Sequence, residues 1–338
     1  MQLKSIFLIG LCALNAALAA NNNNNFTPRI EGTIRGKYEY FTEDDAHRFQ
    51  VRNARFSIRG QVSELTSYKA EIDLSDEGRT RMLDAFVKFN PNKNFAFTIG
   101  QQKVAFSTDN LRSPHNQYFA NRSFMAKQLT NLRDVGASFE IVNRKTVPFQ
   151  LTAGAYNGLG LYTQDKTMKL DELSYAARLV LFPESDLSVS LNFNTIHPYT
   201  IRMNFYNVGV AYKFDAFRAE TEYLYKSYSG NDVLNNKATH GMHIFWAYSL
   251  KMNEKAKLKY ITPVLRYDYM SNNDRYDVVN SSNIQLRNFE SRGRTTAGVI
   301  LSFGELFRND IRLNYERYYW PDGSNVDSKF VAEFVVKF

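Results

Sequence analysis

Apolar and polar residues alternate with a period of two along most of this chain. In RIEGTIRGKYEYF, residues 29–41, the even positions from Ile30 to Tyr40 are apolar or small, and the odd positions from Arg29 to Glu39 are polar. Such alternation predicts a β-strand with one apolar and one polar face. The segment is longer than the usual strand of a globular sheet. The pattern therefore favours long strands over those of a small soluble sheet.

The same alternation predicts sixteen strands, and their connections differ in length at the two ends. Short turns such as NPNKN and FDAF alternate with longer connections that include TEDDAHR, SDEGRTR, 104–132 and 271–292. No repeat of fixed period indicates a soluble propeller or solenoid. We therefore predict an all-β fold, a transmembrane antiparallel β-barrel of 16 strands with short periplasmic turns and longer external loops. The predicted strands are 29–41, 53–62, 67–74, 83–89, 95–103, 133–143, 148–157, 173–182, 186–195, 203–214, 216–228, 238–250, 258–270, 293–303, 309–318 and 328–338.

The first residues have the features of a secretory signal peptide. A basic start, MQLK, precedes the apolar run SIFLIGLCAL, and the small-residue pattern Ala17-Leu18-Ala19 follows it. The apolar run is too short to span a bilayer as a helix. We predict a signal peptide at 1–19 with cleavage near 19/20, a polar disordered leader at 20–28, and one barrel over 29–338. Cleavage would remove Cys12, the only cysteine, so no disulfide is expected.

Composition agrees with a membrane barrel without requiring one. Aromatic residues reach 14%, with 26 Phe and 21 Tyr, although the mean hydropathy is −0.42. Alternating strands produce such a hydrophilic average, and so does a soluble all-β protein. The net charge is +8, but the cations are spread over many strands without a clustered stripe, so no nucleic-acid partner is predicted.

The polar strand faces would line a water-filled lumen, because sixteen strands enclose one. Rings of Arg and Lys in a narrow pore favour anions. The alternative is that these cations only pair with acids on neighbouring strands. The predicted pore-lining cations are Arg35, Lys37, Arg55, Arg59, Lys69, Lys88, Arg178, Arg266, Arg294 and Arg312.

The longest connection, 104–132, is basic. It carries Arg112, Arg122 and Lys127 against one acid, Asp109, and Arg133 follows it directly. We expect this loop to fold into the lumen, where its cations would form an anion-binding constriction, since an electric field is focused where a pore is tight. The alternative is an external lid.

Several segments resemble the phosphate-selective porin O and P family. They include LDAFVKF, TIGQQKVAFSTDNLRS at 98–113, RDVGASFE at 133–140 and VLRYDYM at 264–270. The resemblance implies a homotrimer of sixteen-stranded channels in the outer membrane of a Gram-negative bacterium, with the third external loop folded inward. It also places Arg112, Arg122, Lys127 and Arg133 in that loop's cationic segment. Two departures leave strict phosphate specificity open: Ala105 replaces the family's proline, and the fifth loop, HPYTIR, is short.

The sequence therefore predicts a porin for small anions, with phosphate or polyphosphate as candidates. A weakly selective general porin and an aromatic-slide sugar or peptide channel stay open as alternatives. An outer-membrane hydrolase is disfavoured, because no catalytic or metal-binding motif accompanies the five histidines; no catalytic residue, metal or cofactor is predicted. Outer-membrane lipid and lipopolysaccharide are the expected surroundings. The closing strand KFVAEFVVKF ends on Phe338, which we expect to serve as an assembly signal.

Overall fold

A computed structural model describes most of the chain. The described residues are 26–76, 78–130, 133–158, 160–162, 172–197, 202–229, 237–280, 283–323 and 326–338. The predicted signal peptide at 1–19 lies outside them, as does the predicted leader up to residue 25. No helix among the described residues is long and apolar enough to span a membrane.

The strands form a closed antiparallel barrel, in which the first strand pairs with the last. A two-residue strand, β13, continues β12 beyond Ser249, and both pair with β14, so together they fill one position in the wall. Strands β15 and β16 form a separate hairpin. The wall thus has sixteen positions, which confirms the predicted fold. The strands are β1 Arg29–Phe41, β2 Ala46–Gln61, β3 Thr66–Asp76, β4 Arg79–Asn92, β5 Phe95–Lys103, β6 Arg133–Asn143, β7 Phe149–Tyr156, β8 Ser174–Leu181, β9 Leu187–Ile196, β10 Arg202–Phe214, β11 Phe217–Ser229, β12 Ala238–Tyr248, β13 Leu250–Lys251, β14 Tyr260–Met270, β15 Asn273–Asn280, β16 Asn283–Phe289, β17 Arg292–Ser302, β18 Asn309–Tyr319 and β19 Val326–Lys337.

Two connections predicted to be long are tight turns. Strand β1 ends at Phe41 and β2 begins at Ala46, and β3 ends at Asp76 and β4 begins at Arg79. Asp45 and Gly78 adopt φ values of 47° and 87° at these turns, a left-handed conformation that Gly and Asp tolerate better than most residues. Polar residues in TEDDAHR and SDEGRTR therefore belong partly to strands.

Two other connections contain structure that alternation does not predict. The connection 271–292 holds the β15–β16 hairpin. The connection 104–132 holds helices α1, Thr108–Leu111, and α2, Phe124–Gln128, with a short 3-10 helix at Pro114–Asn116. We refer to residues 104–130 as the inner loop.

The wall is apolar outside and polar inside. In β1, Ile34 points outward and is 44% exposed, whereas its neighbours Thr33 and Arg35 are 6% and 5% exposed. This is the reverse of a soluble protein, in which apolar residues are the buried ones. An outer surface of this kind suits contact with lipid.

The last residue closes the seam of the barrel. Gly32 N donates to Phe338 O at 2.8 Å, and Phe338 N donates to Gly32 O at 3.1 Å. The Phe338 ring lies directly over Gly32, where a Cβ atom would come within 2.2 Å of it. The ring also makes an edge-to-face contact with Phe56 at 5.8 Å. Gly32 is therefore required by close approach of the terminal ring.

Replacing Gly32 by Leu is expected to impair closure of the seam. The larger side chain must displace the Phe338 ring, and overpacking of this kind costs about 1–3 kcal/mol. We expect a smaller folded fraction on an unheated gel and a lower melting temperature. Gly36→Leu is the matched control, because nothing lies within 4 Å of a Cβ at Gly36 on the same strand. Equal melting temperatures for the two variants would contradict the role of the ring.

Candidate pore and constriction

The inner loop crosses the interior of the barrel and contacts strands on its far side. Ala120 N donates to Asn314 Oδ1 in β18 at 2.9 Å, and Ala120 O accepts from Arg35 Nη2 in β1 at 2.9 Å. Phe124 N donates to Asp268 Oδ1 in β14 at 3.1 Å. The loop is thus attached to the wall by hydrogen bonds from its own backbone.

Apolar contacts add to this attachment at two places. In the first, Phe106, Phe124 and Met125 of the loop belong to one buried cluster with wall residues that include Phe205 and Leu224. In the second, Phe119 packs with Phe245, Val264 and Ile300. The loop therefore fills part of the interior with an apolar core of its own, which a water-filled barrel would lack.

Within the loop, Asp109 organises the backbone. Its Oδ2 accepts from Ser123 Oγ at 2.6 Å and from Ser123 N at 3.1 Å. Ser123 in turn caps α2, since its Oγ accepts from Ala126 N. Burial alone would raise the pKa of Asp109, but the neighbouring His243, Arg112 and Arg122 hold that pKa well below its usual range. The carboxylate therefore stays charged and links the two halves of the loop.

The four predicted constriction cations lie in different environments. Arg112 forms ion pairs with Glu220 and, at 3.5 Å, with Asp109. Arg122 donates to loop carbonyl groups, among them that of Arg112 at 2.6 Å. Arg133 pairs with Asp84 at 2.5 Å and Glu71 at 3.1 Å. Lys127 lies at an exposed position of α2.

Four of the predicted pore-lining arginines face the interior but are covered by the inner loop. Their exposed fractions are 5% for Arg35, 2% for Arg266, 3% for Arg294 and 0% for Arg312. Each donates to a backbone carbonyl of the loop. Alternation predicts their direction, but contact with lumen water is lost because the loop lies over them. Lys37 is buried too, in an ion pair with Glu39 at 3.0 Å.

The other predicted cations reach open space or its edge. Arg55 and Lys69 line one cavity and Arg178 another. Lys88 pairs with Glu140 at 3.5 Å, and Arg59 forms an exposed ion pair with Glu31.

The smaller of these cavities, about 100 Å³ in volume, is basic, and we name it the cationic cavity. Five cations line it against two acids, Glu31 and Glu71. Low-dielectric walls in which one sign of charge predominates raise the local concentration of counter-ions. The cavity is therefore suited to attract anions. Its cations are Arg55, Lys69, Lys103, Arg133 and Lys337.

The larger cavity, about 440 Å³ in volume, is balanced in charge, and we name it the mixed cavity. Thr108 and Leu111 of the inner loop's first helix line it. Three cations and three acids contribute to its walls: Lys103, Arg178, Arg218, Glu140, Glu220 and Glu222.

Lys103, which the sequence reasoning missed, lines both cavities. Its Nζ donates to Leu111 O at 2.7 Å, and no carboxylate of the described residues forms an ion pair with it. In the sheet it lies directly opposite Arg133. The sequence indicates its importance, because Lys103 ends the GQQK stretch and directly precedes the basic loop.

His115 lies in the cationic cavity, and its environment disfavours the charged form. Burial and the positive charges of Lys337 and Arg312 lower its pKa to about 3. The imidazole is therefore neutral at physiological pH and adds no charge to the cavity.

The low pKa of His115 predicts a pH-dependent loss of stability. In the unfolded chain, histidine takes up a proton below about pH 6.5. Since the folded protein does not take up this proton until about pH 3, stability falls as the pH drops through that window. Relative to His115→Gln, the wild type should lose about 1 kcal/mol between pH 8 and pH 5, after allowance for screening by water. The same stability difference between the wild type and His115→Gln at pH 8 and at pH 5 would contradict the assignment. Asn116→Gln is the control.

No group of three or more His, Cys, Asp or Glu side chains within the described ranges is arranged to hold a metal ion.

Comparison with solved structures shows the fold. In-vitro folded OmpT of Vibrio cholerae, in a trimer form, is 12% identical, with 93% of this chain and 100% of that chain covered and a TM-score of 0.62. OmpT of the same organism expressed in the outer membrane is 9% identical, with 94% and 99% covered and a TM-score of 0.61. Salmonella typhi OmpF in complex with daunomycin is 11% identical, with 93% and 98% covered and a TM-score of 0.60.

Comparison of the sequence finds a match to one family model. No curated protein matches this chain, but the model of the family "phosphate-selective porin O and P" matches residues 30–193. Family and fold together point to a channel rather than an enzyme, and to the outer membrane of a Gram-negative bacterium. The match over residues 30–193 to the phosphate-selective porin O and P family confirms the resemblance that the motifs of this chain predict.

Proposed function

We propose that this porin carries small anions by passive diffusion, with phosphate as the candidate natural solute. The observation that supports the proposal is the cationic cavity, in which five cations face two acids. Lys103 strengthens the argument, since it also lines the mixed cavity and has no acidic partner among the described residues. An anion that moves between the cavities would meet its ammonium group.

We propose a preference for anions rather than strict specificity for phosphate. Arg112 and Arg122 are used within the inner loop and its attachment to Glu220, and Arg133 is shared with two acids. These cations have already given part of their hydrogen-bonding capacity to protein oxygens. A small polar anion would therefore be attracted by the summed positive charge and would not be bound tightly by a cluster of unpaired cations.

Reversal potentials in planar bilayers under a KCl gradient test this proposal. We expect a sign that corresponds to chloride as the more permeant ion, and concentration-dependent reduction of the chloride current by added phosphate at millimolar levels. A reversal potential of the opposite sign would overturn the anion preference. Block at micromolar phosphate would replace it by strict phosphate specificity.

We further propose that the inner loop forms the constriction and that the channel is a homotrimer. The loop's attachment to wall strands supports the first point. The trimer form of the similar Vibrio cholerae OmpT structure supports the second. The apolar outer wall agrees with contact to outer-membrane lipid and lipopolysaccharide. Amino-terminal sequencing of the protein extracted from membranes, and its mass in mild detergent, test signal cleavage near 19/20 and the trimer.

A further inference from the structure

Two cations of the mixed cavity, Arg178 and Lys103, and one of its acids, Glu222, form no ion pair with another described residue. Arg178 of β8 donates to Asn192 Oδ1 at 2.7 Å and to Thr108 Oγ1 at 3.1 Å. A guanidinium group carries five N–H donors, so three are left. None of the described carboxylates forms an ion pair with Arg178. This side chain therefore presents free donors and an uncompensated charge to the cavity.

Glu222 of β11 is its counterpart. The residue is only 2% exposed, and its Oε1 accepts from Asp109 N at 2.7 Å. Its Oε2 has no hydrogen-bond partner. A buried carboxylate oxygen without a partner is costly, and here it belongs to a residue that lines a 440 Å³ cavity. The site therefore offers an unused acceptor that carries negative charge.

The remaining charges of this cavity are engaged: Lys103 donates to Leu111 O at 2.7 Å, and the others form ion pairs. Glu220 pairs with Arg218 at 2.5 Å and with Arg112. Glu140 accepts from Gln150 Nε2 at 3.0 Å and pairs with Lys88. Arg178 and Glu222 thus stand apart as a cation and an acid that attract each other across the cavity without forming an ion pair.

We propose that the mixed cavity is a binding site for small zwitterionic solutes, the class that contains amino acids and short peptides. Arg178 would hold the carboxylate of the solute, since a guanidinium fork matches carboxylate geometry, and Glu222 would accept from its ammonium group. The volume lies within the range of small-molecule sites. The proposal rests on the channel function, because the solute must enter through the lumen.

Three probes of similar size separate the two charges of a zwitterion. Glycylglycine carries both at pH 7, N-acetylglycine carries only the carboxylate, and glycylglycinamide carries only the ammonium. Their apparent dissociation constants are obtained from the reduction of single-channel current at constant ionic strength. We expect glycylglycine to bind about tenfold more tightly than either other probe, as one charge-assisted hydrogen bond implies.

Two substitutions and two matched controls assign the groups. Glu222→Gln keeps an oxygen for Asp109 N and should remove the advantage of glycylglycine over N-acetylglycine. Arg178→Gln should remove the advantage of glycylglycine over glycylglycinamide. Glu140→Gln and Arg218→Gln, which alter engaged charges in the same cavity, should preserve both advantages.

Either of two results would overturn the site: equal binding of the three probes to the wild type, or equal losses in the control variants. The KCl reversal potential of the same channels keeps the two proposals apart. A cation-selective potential with a retained preference for glycylglycine would overturn only the anion proposal. An anion-selective potential without that preference would overturn only the zwitterion site.

Discussion

Lys103→Glu is expected to abolish the anion preference of the channel. The substitution changes the lining of the cationic cavity from five cations and two acids to four and three. It places the new negative charge where both cavities meet, near Arg133, Arg122 and Arg55. A change of two charge units at this range amounts to about 1–2 kcal/mol for a passing ion, or about a tenfold change in the permeability ratio of chloride to potassium.

The measurement is the reversal potential under a KCl gradient, with Lys103→Gln expected to lie between the wild type and Lys103→Glu. Lys88→Glu is the control, since Lys88 also faces the lumen but pairs with Glu140 and lines neither cavity. If both glutamate variants shift the potential by the same amount, the net charge of the lumen decides selectivity and Lys103 has no special place.

Asp268→Asn is expected to loosen the inner loop and widen the channel. Asp268 is 0% exposed, pairs with Arg266 at 2.9 Å and Arg294 at 3.1 Å, and accepts from Phe124 N. Removing its charge leaves two buried arginines short of compensation, and breaking a buried ion pair costs about 3–5 kcal/mol. The loop can escape this cost by leaving the wall, whereas the strands are held by their ladders.

We therefore expect a higher and noisier single-channel conductance, with a barrel that still resists detergent on an unheated gel. Glu184→Gln is the control: its ion pair with Arg144 is exposed, at 78% and 53% of the side chains, and surface pairs contribute at most about 1 kcal/mol. An Asp268→Asn channel with unchanged conductance would show that the apolar clusters alone hold the loop.

Alternation alone predicts the wall well, because each strand face meets only lipid or only the interior. The directions of Arg266 and Arg294 follow directly from it. Their burial does not, since the inner loop that covers them lies more than a hundred residues earlier in the chain, and period-two alternation carries no information about such contacts.

Alternation also fails to predict the ion-pair partners of the loop cations, for the same reason. Arg112 belongs to the longest and most basic connection, which makes an open anion site the simple expectation. Its partner Glu220 lies on β11, and only the folded loop brings the two together. Lys103 shows the opposite case. As a strand residue it would be expected to pair with an acid on the neighbouring strand, but the residue opposite it is Arg133.

The pairing of β1 with β19 has a consequence for the connectivity of the chain. Gly32 and Phe338 exchange backbone hydrogen bonds, so the start of β1 and the end of β19 lie side by side on the edge that carries the short turns. A circular permutant could join them through a brief linker and begin instead within the connection between β14 and β17. Every ladder of the wall would be retained, and only the strand that is synthesised first would change.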